Sequence, residues 1–125
     1  MSFEKKMHNK DLGQKGEILA AGFLREKGYE ILAKNFRSGH QEIDLIAEYN
    51  GTVHFVEVKT RSVHSVGRGE DAMHRTKILR LLEGIYAYLT GYEQEPEWQL
   101  DLIVVETRQN SGYRFYHYEG LGIRE

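Results

Sequence analysis

The stretch EIDLIAEYNGTVHFVEVKT, Glu42 to Thr60, decides the fold. It holds two runs rich in β-branched and aromatic residues, Glu42 to Tyr49 and Thr52 to Thr60, separated by Asn50-Gly51. Asn-Gly between two such runs is the strongest short-range hairpin signal, because a type I′ turn needs positive φ at both central residues. In the first run Ile43, Leu45 and Ala47 alternate with Glu42, Asp44, Ile46 and Glu48. In the second, Val53, Phe55, Glu57 and Lys59 share one face, and His54, Val56 and Val58 the other. A two-residue loop makes paired residue numbers sum to 101, as 50 and 51 do. Asp44 is then expected opposite Glu57, with Cβ atoms about 4.5–5.5 Å apart.

Working outward, Leu12, Leu19, Ala20, Phe23 and Leu24 cluster at about 100° per residue, which predicts an amphipathic helix over Asp11 to Lys27. Gly28 stops it in a C′ position. Tyr29 to Phe36 reads as a short strand, and Ser38-Gly39-His40 turns the chain. Beyond the hairpin, a Gly-rich loop (65–69) leads to a second helix expected from Glu70 to Thr90. There Ile78, Leu81, Leu82, Ile85, Tyr86 and Leu89 repeat at spacings of three and four, and Gly91 ends the run. Leu100 to Glu106 is nearly all apolar, as a strand buried on both faces would be. Tyr113 to Tyr118 follows the Asn110-Ser111-Gly112 turn as a last strand. This order predicts an α/β layer, a mixed β-sheet of about five strands flanked by helices on both faces.

The 125 residues, 40% hydrophobic and without a linker-like tract, fit one domain over 1–125, with 1–10 expected to be flexible. With no cysteine, a disulfide framework, a cysteine-ligated zinc and a thiol nucleophile are excluded. No apolar run approaches the roughly 18 residues of a membrane span. The first residues carry lysines without an apolar stretch behind them, so a cytoplasmic protein is expected. The net charge of −2 argues against a polyanion binder working through bulk charge. Charge is uneven, however: Lys59 to Arg80 holds six bases against two acids. That stretch reads either as a phosphate-facing side or as an ordinary solvated helix face.

Charged residues inside an apolar hairpin need a reason. Asp44 and Glu57 at cross-strand distance would repel and raise each other's pKa unless a cation sits between them. A hard divalent ion, Mg²⁺ or Mn²⁺, answers that need, since one or two carboxylates plus water and substrate phosphate make its usual shell. Lys59, one side-chain step along, could deprotonate a water or neutralise a phosphorane-like transition state. The bland alternative is a surface ion pair between Glu57 and Lys59 with Asp44 incidental. Glu17 lies at the edge of the first helix's apolar arc, so a helix packed on the sheet could bring it towards Asp44 and Glu57, although by periodicity alone a boundary residue is the simpler reading. Six histidines (8, 40, 54, 64, 74, 117) contain no helical i, i+4 pair, which argues against a histidine-based zinc site. Tyr113, Phe115, Tyr116 and Tyr118 could stack on bases, but an edge strand closing the core is the simpler reading.

Taken together, GQKGEILAAGFLREKGYEILAKNFR, EIDLIAEYNGTVHFVEVKTR, the Gly-rich loop, Ala72 and Lys77 resemble the YraN/UPF0102 family over roughly Leu12 to Glu106. That family in turn resembles the PD-(D/E)xK restriction-endonuclease-like superfamily, close in pattern to archaeal Holliday-junction resolvases. The resemblance implies a restriction-endonuclease-like core with Glu17 as a helix-borne acid and Asp44 and Glu57 as the metal-coordinating pair. It further implies Lys59 as the catalytic lysine, the Val58 carbonyl as an extra metal ligand, and Arg61 and Lys77 as phosphate contacts. Two positions depart from the pattern. Asp101 follows Gln99-Leu100 instead of a basic-aromatic pair, which leaves its role doubtful; Gln41 replaces a glycine, whose backbone freedom Gly39 could supply.

The resulting expectation is a Mg²⁺- or Mn²⁺-dependent endonuclease acting on DNA, including branched DNA, with no membrane partner. Resolvases of this kind work as two-fold dimers, so a homodimer is an expected partner state. The competing expectation is a non-catalytic nucleic-acid-binding or adaptor module of the same fold, serving DNA repair or uptake.

Overall fold

Two clusters of apolar side chains, one on each face of a single sheet, account for the architecture. A computed structural model describes residues 9–62, 73–108 and 112–121. Its elements are α1 (Asn9–Glu26), β1 (Glu30–Ser38), β2 (Gln41–Tyr49), β3 (Thr52–Ser62), α2 (Arg75–Leu89), β4 (Glu97–Arg108) and β5 (Gly112–Tyr118). The sheet order is β1-β2-β3-β4-β5. Only the β3–β4 pair is parallel, because α2 carries the chain back across the sheet between them. The fold is therefore the expected α/β layer, a mixed five-stranded sheet with a helix on each face. The Gly-rich loop (65–69), His64, Ala72, residues 1–8 and the side chain of Leu12 lie outside the described residues. Among those described, no helix is long and apolar enough to cross a membrane.

On the α1 face, Ala20, Ala21 and Leu24 pack on Leu45, Ala47, Val56, Ile103 and Val105. On the α2 face, Leu81, Ile85 and Leu89 pack on Ile43, Ile46, Val53, Phe55 and Leu100. β4 is buried on both sides from Leu100 to Glu106, which explains its unbroken apolar run. β5 closes one edge, with Phe115 stacked on Phe23 of α1 at 4.6 Å between ring centroids. The edge-strand reading of Tyr113 to Tyr118 therefore holds.

The Asn50-Gly51 turn has φ of 50° and 81°, as a type I′ hairpin requires. Pairs from Tyr49↔Thr52 to Leu45↔Val56 follow the expected register, and the ladder ends there, one step short of Asp44. The second helix is shorter than its periodicity suggested. Met73 and His74 are not helical, and α2 starts at Arg75 with His74 extended (φ −77°, ψ 162°) as its N-cap. The recurring apolar positions begin only at Ile78, and Met73 packs against the α2-face cluster from a non-helical stretch ahead of the helix.

Gly16 brings α1 against β3. It is buried, and a Cβ there would overlap Thr60 Cγ2. Replacing a helical glycine by alanine ordinarily gains about 1 kcal/mol. At Gly22, where nothing lies within 4 Å, Gly22→Ala should show that gain. Gly16→Ala should instead lose about 1–3 kcal/mol, and Thr60→Ser should recover most of the loss. Urea denaturation of the three variants and the double mutant checks this. A gain at Gly16 would contradict the close approach.

Candidate metal and phosphate site

The regular alternation of β2 breaks at Asp44. Ile43 packs on the α2 face and Leu45 on the α1 face, although residues two apart in a regular strand share a face. On the neighbouring strand, Asn35 lies between the pairs Phe36↔Ile43 and Lys34↔Leu45 and has a left-handed backbone, φ 52°. Asparagine tolerates that conformation better than most residues. The expected alternation of Ile43, Leu45 and Ala47 with Glu42, Asp44, Ile46 and Glu48 therefore does not run unbroken through the strand. Ile46 is buried against α2, and the switch at Asp44 sets its carboxylate where β2 and β3 separate.

Asp44 does not meet Glu57 as a ladder partner. Its Oδ2 accepts the Val58 backbone N–H at 2.8 Å, which takes up the donor freed where the ladder stops. Glu57, on the α2 face of β3, reaches Lys77 Nζ at 2.5 Å. From α1, Glu17 comes close enough that one carboxylate oxygen each from Glu17, Glu42 and Asp44 lie within 4.8 Å of one another. Asn35 holds two of these acids. With its NH₂ turned inward it donates to Glu17 Oε1 and Glu42 Oε2, each at 2.8 Å. Glu42 also pairs with Arg37 at 3.0 Å.

Burial pushes the Asp44 carboxyl up to about 8, and the Glu57 and Glu17 charges push the same way against the Val58 hydrogen bond. Burial likewise raises the Glu17 carboxyl, with Glu42 and Glu57 adding to it and hydrogen bonds from Asn35 and Asp44 opposing. The cluster is thus short of positive charge. An open cavity of about 460 Å³ adjoins it, with Glu42, Asp44 and Glu57 on one wall and Thr76, Lys77 and Arg80 of α2 on the other.

The structure brings together Glu17, Asp44, Glu57 and Lys77 of the residues singled out from sequence. Two others stand apart. Lys59 is exposed and is not among the described residues that line the cavity. Arg61 turns to the β4–β5 side, pairing with the buried Glu106 at 3.3 Å and lying over the Tyr116 ring at 5.7 Å. Glu42, Asn35 and Thr76 were not foreseen, and Arg80 was foreseen only as a member of the basic stretch that reads as a phosphate-facing side or a solvated helix face. Glu42 could have been, since it precedes Asp44 by two in a run of mid-strand acids; nothing in the sequence marks Asn35 as left-handed.

Asp101, whose role the sequence left doubtful, is fully buried. Its Oδ2 accepts from His54 Nδ1 at 2.6 Å and His117 Nε2 at 2.9 Å, and its Oδ1 from Gln99 Nε2 at 2.8 Å and the Gly120 N–H at 3.1 Å. Burial alone would raise this carboxyl, but these hydrogen bonds outweigh it and hold it well below the usual carboxylate range.

A family model described as an uncharacterised protein family, UPF0102, matches residues 16–105. The chain belongs to the UPF0102 family. UPF0102 relatives include a protein of Chlorobium chlorochromatii, 43% identical over 76% of this chain and 74% of its own length. One from Alkaliphilus oremlandii is 38% identical over 89% of this chain and 97% of its own. Another, from Christiangramia forsetii, is 36% identical over 88% and 91%. The matched UPF0102 region spans Glu17, Asp44, Glu57, Lys77 and Asp101.

A carboxyl whose folded-state pKa is raised contributes stability below its unfolded pKa, about 3.9, and that contribution is lost as pH rises through the folded value of about 8. Asp44→Asn keeps an acceptor for Val58 and removes the charge. In the presence of chelator it should match wild type near pH 4 and exceed it at pH 8.5 by on the order of 2–5 kcal/mol. Denaturant midpoints across that range measure the difference. A difference independent of pH would contradict the crowding of charge at Asp44.

Proposed function

We propose that this UPF0102 protein is a divalent-metal-dependent endonuclease that hydrolyses phosphodiester bonds of DNA on a restriction-endonuclease-like core. One observation carries the reading: Glu42 and Asp44 of β2 and Glu57 of β3 line an open cavity whose facing wall is cationic, and Glu17 of α1 comes within reach of Glu42 and Asp44. The donor set consists of oxygens alone, which suits Mg²⁺ or Mn²⁺ over softer metals. The raised Asp44 carboxyl marks repulsion that a cation would relieve. On both counts the residues fit such an ion.

Asp44, Glu57 and Glu17 would hold the ion, with the Val58 carbonyl as a further ligand. When bound, it would supply Lewis-acid stabilisation of the charge that builds on the phosphodiester. The chain's own residues divide the remaining work. The Val58 N–H fixes one Asp44 oxygen and leaves the other for coordination. Lys77, paired with Glu57 in the structure, would exchange that carboxylate for an arriving phosphate. Arg80 and Thr76 extend the same wall and would orient the phosphate further. Lys59, two residues beyond Glu57 on the same strand face, would have to turn toward the cavity to orient or deprotonate the attacking water. Branched substrates cut symmetrically would call for a second copy of the chain.

The exposure of Lys59 favours a second reading, a nucleic-acid-binding or adaptor module without catalysis in DNA repair or uptake. A low-salt assay on linear, flapped and four-way-junction DNA separates the two, since a near-neutral protein loses phosphate contacts as salt rises. With Mg²⁺ or Mn²⁺, wild type should cleave at least one substrate, and Asp44→Ala should cleave it about a hundredfold or more slowly. Equal cleavage by both would refute the site. Binding without cleavage by wild type would establish the adaptor.

A further inference from the structure

The acidic cavity does not account for the second cluster of ionisable groups. His54 on β3, Asp101 on β4 and His117 on β5 meet on the α1 face, and Glu119 follows β5 at the surface. His54 is three residues before Glu57, about 10 Å along β3, and points to the opposite face of the sheet. We propose that His54, Asp101, His117 and Glu119 form a second metal site, selective for Zn²⁺ or a similar borderline transition ion.

One ligand atom from each of the four lies within 4.8 Å of the others. His54 Nδ1 and His117 Nε2 both aim at a single oxygen, Asp101 Oδ2, at 2.6 and 2.9 Å. Two rings converging on one carboxylate oxygen from two strands already face a common point. A tetrahedral zinc shell, with bonds of about 2.0–2.2 Å, separates its ligand atoms by roughly 3.3 Å. From 2.6 and 2.9 Å, the two ring nitrogens therefore need to part from Asp101 by about 0.7 and 0.4 Å. Two imidazoles with two carboxylates also differ in kind from the all-oxygen cluster, and this donor set favours zinc-like ions over Mg²⁺.

The surroundings supply the outer support that metal ligands need. Gln99 Nε2 donates to Asp101 Oδ1 at 2.8 Å and reaches Glu119 Oε1 at 3.4 Å, while the Gly120 N–H donates to Asp101 Oδ1 at 3.1 Å. That leaves Asp101 Oδ2 as the oxygen for coordination. Tyr29 packs edge-on to the His54 ring at 5.0 Å, and Phe23 edge-on to His117 at 6.4 Å, which fixes both ring planes. The field is anionic: besides burial, Glu119 and Asp101 push the Tyr29 hydroxyl up to about 12. On binding, each ring nitrogen that donates to Asp101 gives up its proton to free a lone pair, and in each ring the other nitrogen carries the proton. Glu119, exposed at the end of β5, completes the shell and leaves the site at the surface for metal entry. Such an ion would tie β3, β4 and β5 together, a structural role separate from the acidic cavity.

The test uses the full chain carrying Asp44→Asn, which disables the acidic cluster, after removal of metal by chelation. Titration with Co²⁺ should give the visible absorption of a tetrahedral site at one equivalent, and one equivalent of Zn²⁺ should abolish it. Adding His117→Gln should weaken the affinity at least tenfold; adding Glu119→Gln, a surface change that leaves the core intact, should also weaken it at least tenfold. No visible absorption in the Asp44→Asn protein would overturn the site. So would unchanged affinity in the Glu119→Gln protein. Because Asp44 is already replaced, failure here leaves the nuclease reading standing, and failure of the nuclease reading leaves this site standing.

Discussion

Asp44 Oδ2 accepts the Val58 N–H at 2.8 Å one step beyond the last paired residues of β2 and β3. That bond lets the hairpin open without stranding a backbone donor, and it turns an acid inward at the opening. Glu17 and Glu42 come within reach of the same point, and Asn35, in a left-handed conformation on β1, bridges them. Remove the hydrogen bond and nothing offsets the desolvation and repulsion that already push Asp44 to about 8. The gathering of acids is costly to the folded state, and a cation is the natural partner for it.

Packing on the two sides of the sheet serves this arrangement. Gly16 allows α1 to touch Thr60, which brings the adjacent Glu17 down onto the sheet. On the opposite face α2 presents Lys77 to Glu57 and places Arg80 on the same wall. The cavity sits at the sheet opening between β2, β3 and α2, and Glu17 reaches the same acids from α1. The buried network around Asp101 lies further back along β3 on the α1 face, with its own charge balance supplied by hydrogen bonds.

Much of this was legible in the residues themselves. Asn50-Gly51 fixed the hairpin and its register, and the apolar run through Leu100 marked the doubly covered strand. Glu17 was different: its position on the helical wheel allowed it to reach the Asp44–Glu57 end but read more simply as a boundary residue, and the family resemblance decided for the site. The break in alternation at Asp44 was hidden, since it depends on how β1 and β2 pair around Asn35. The meeting of His54, Asp101 and His117 was hidden as well. A search for i, i+4 histidines looks along one helix, whereas these residues come together across three strands. The length of α2 was overestimated: its recurring apolar positions begin only at Ile78, and Met73 and His74 ahead of it are not helical.

The most direct measurement is a crystal structure of the wild-type protein soaked in Mn²⁺, with data collected to locate manganese by anomalous scattering. The account predicts a peak within coordination distance of Asp44 and Glu57, with Lys77 displaced from its contact with Glu57. A well-ordered cavity without manganese, and with Lys77 still paired to Glu57, would contradict it.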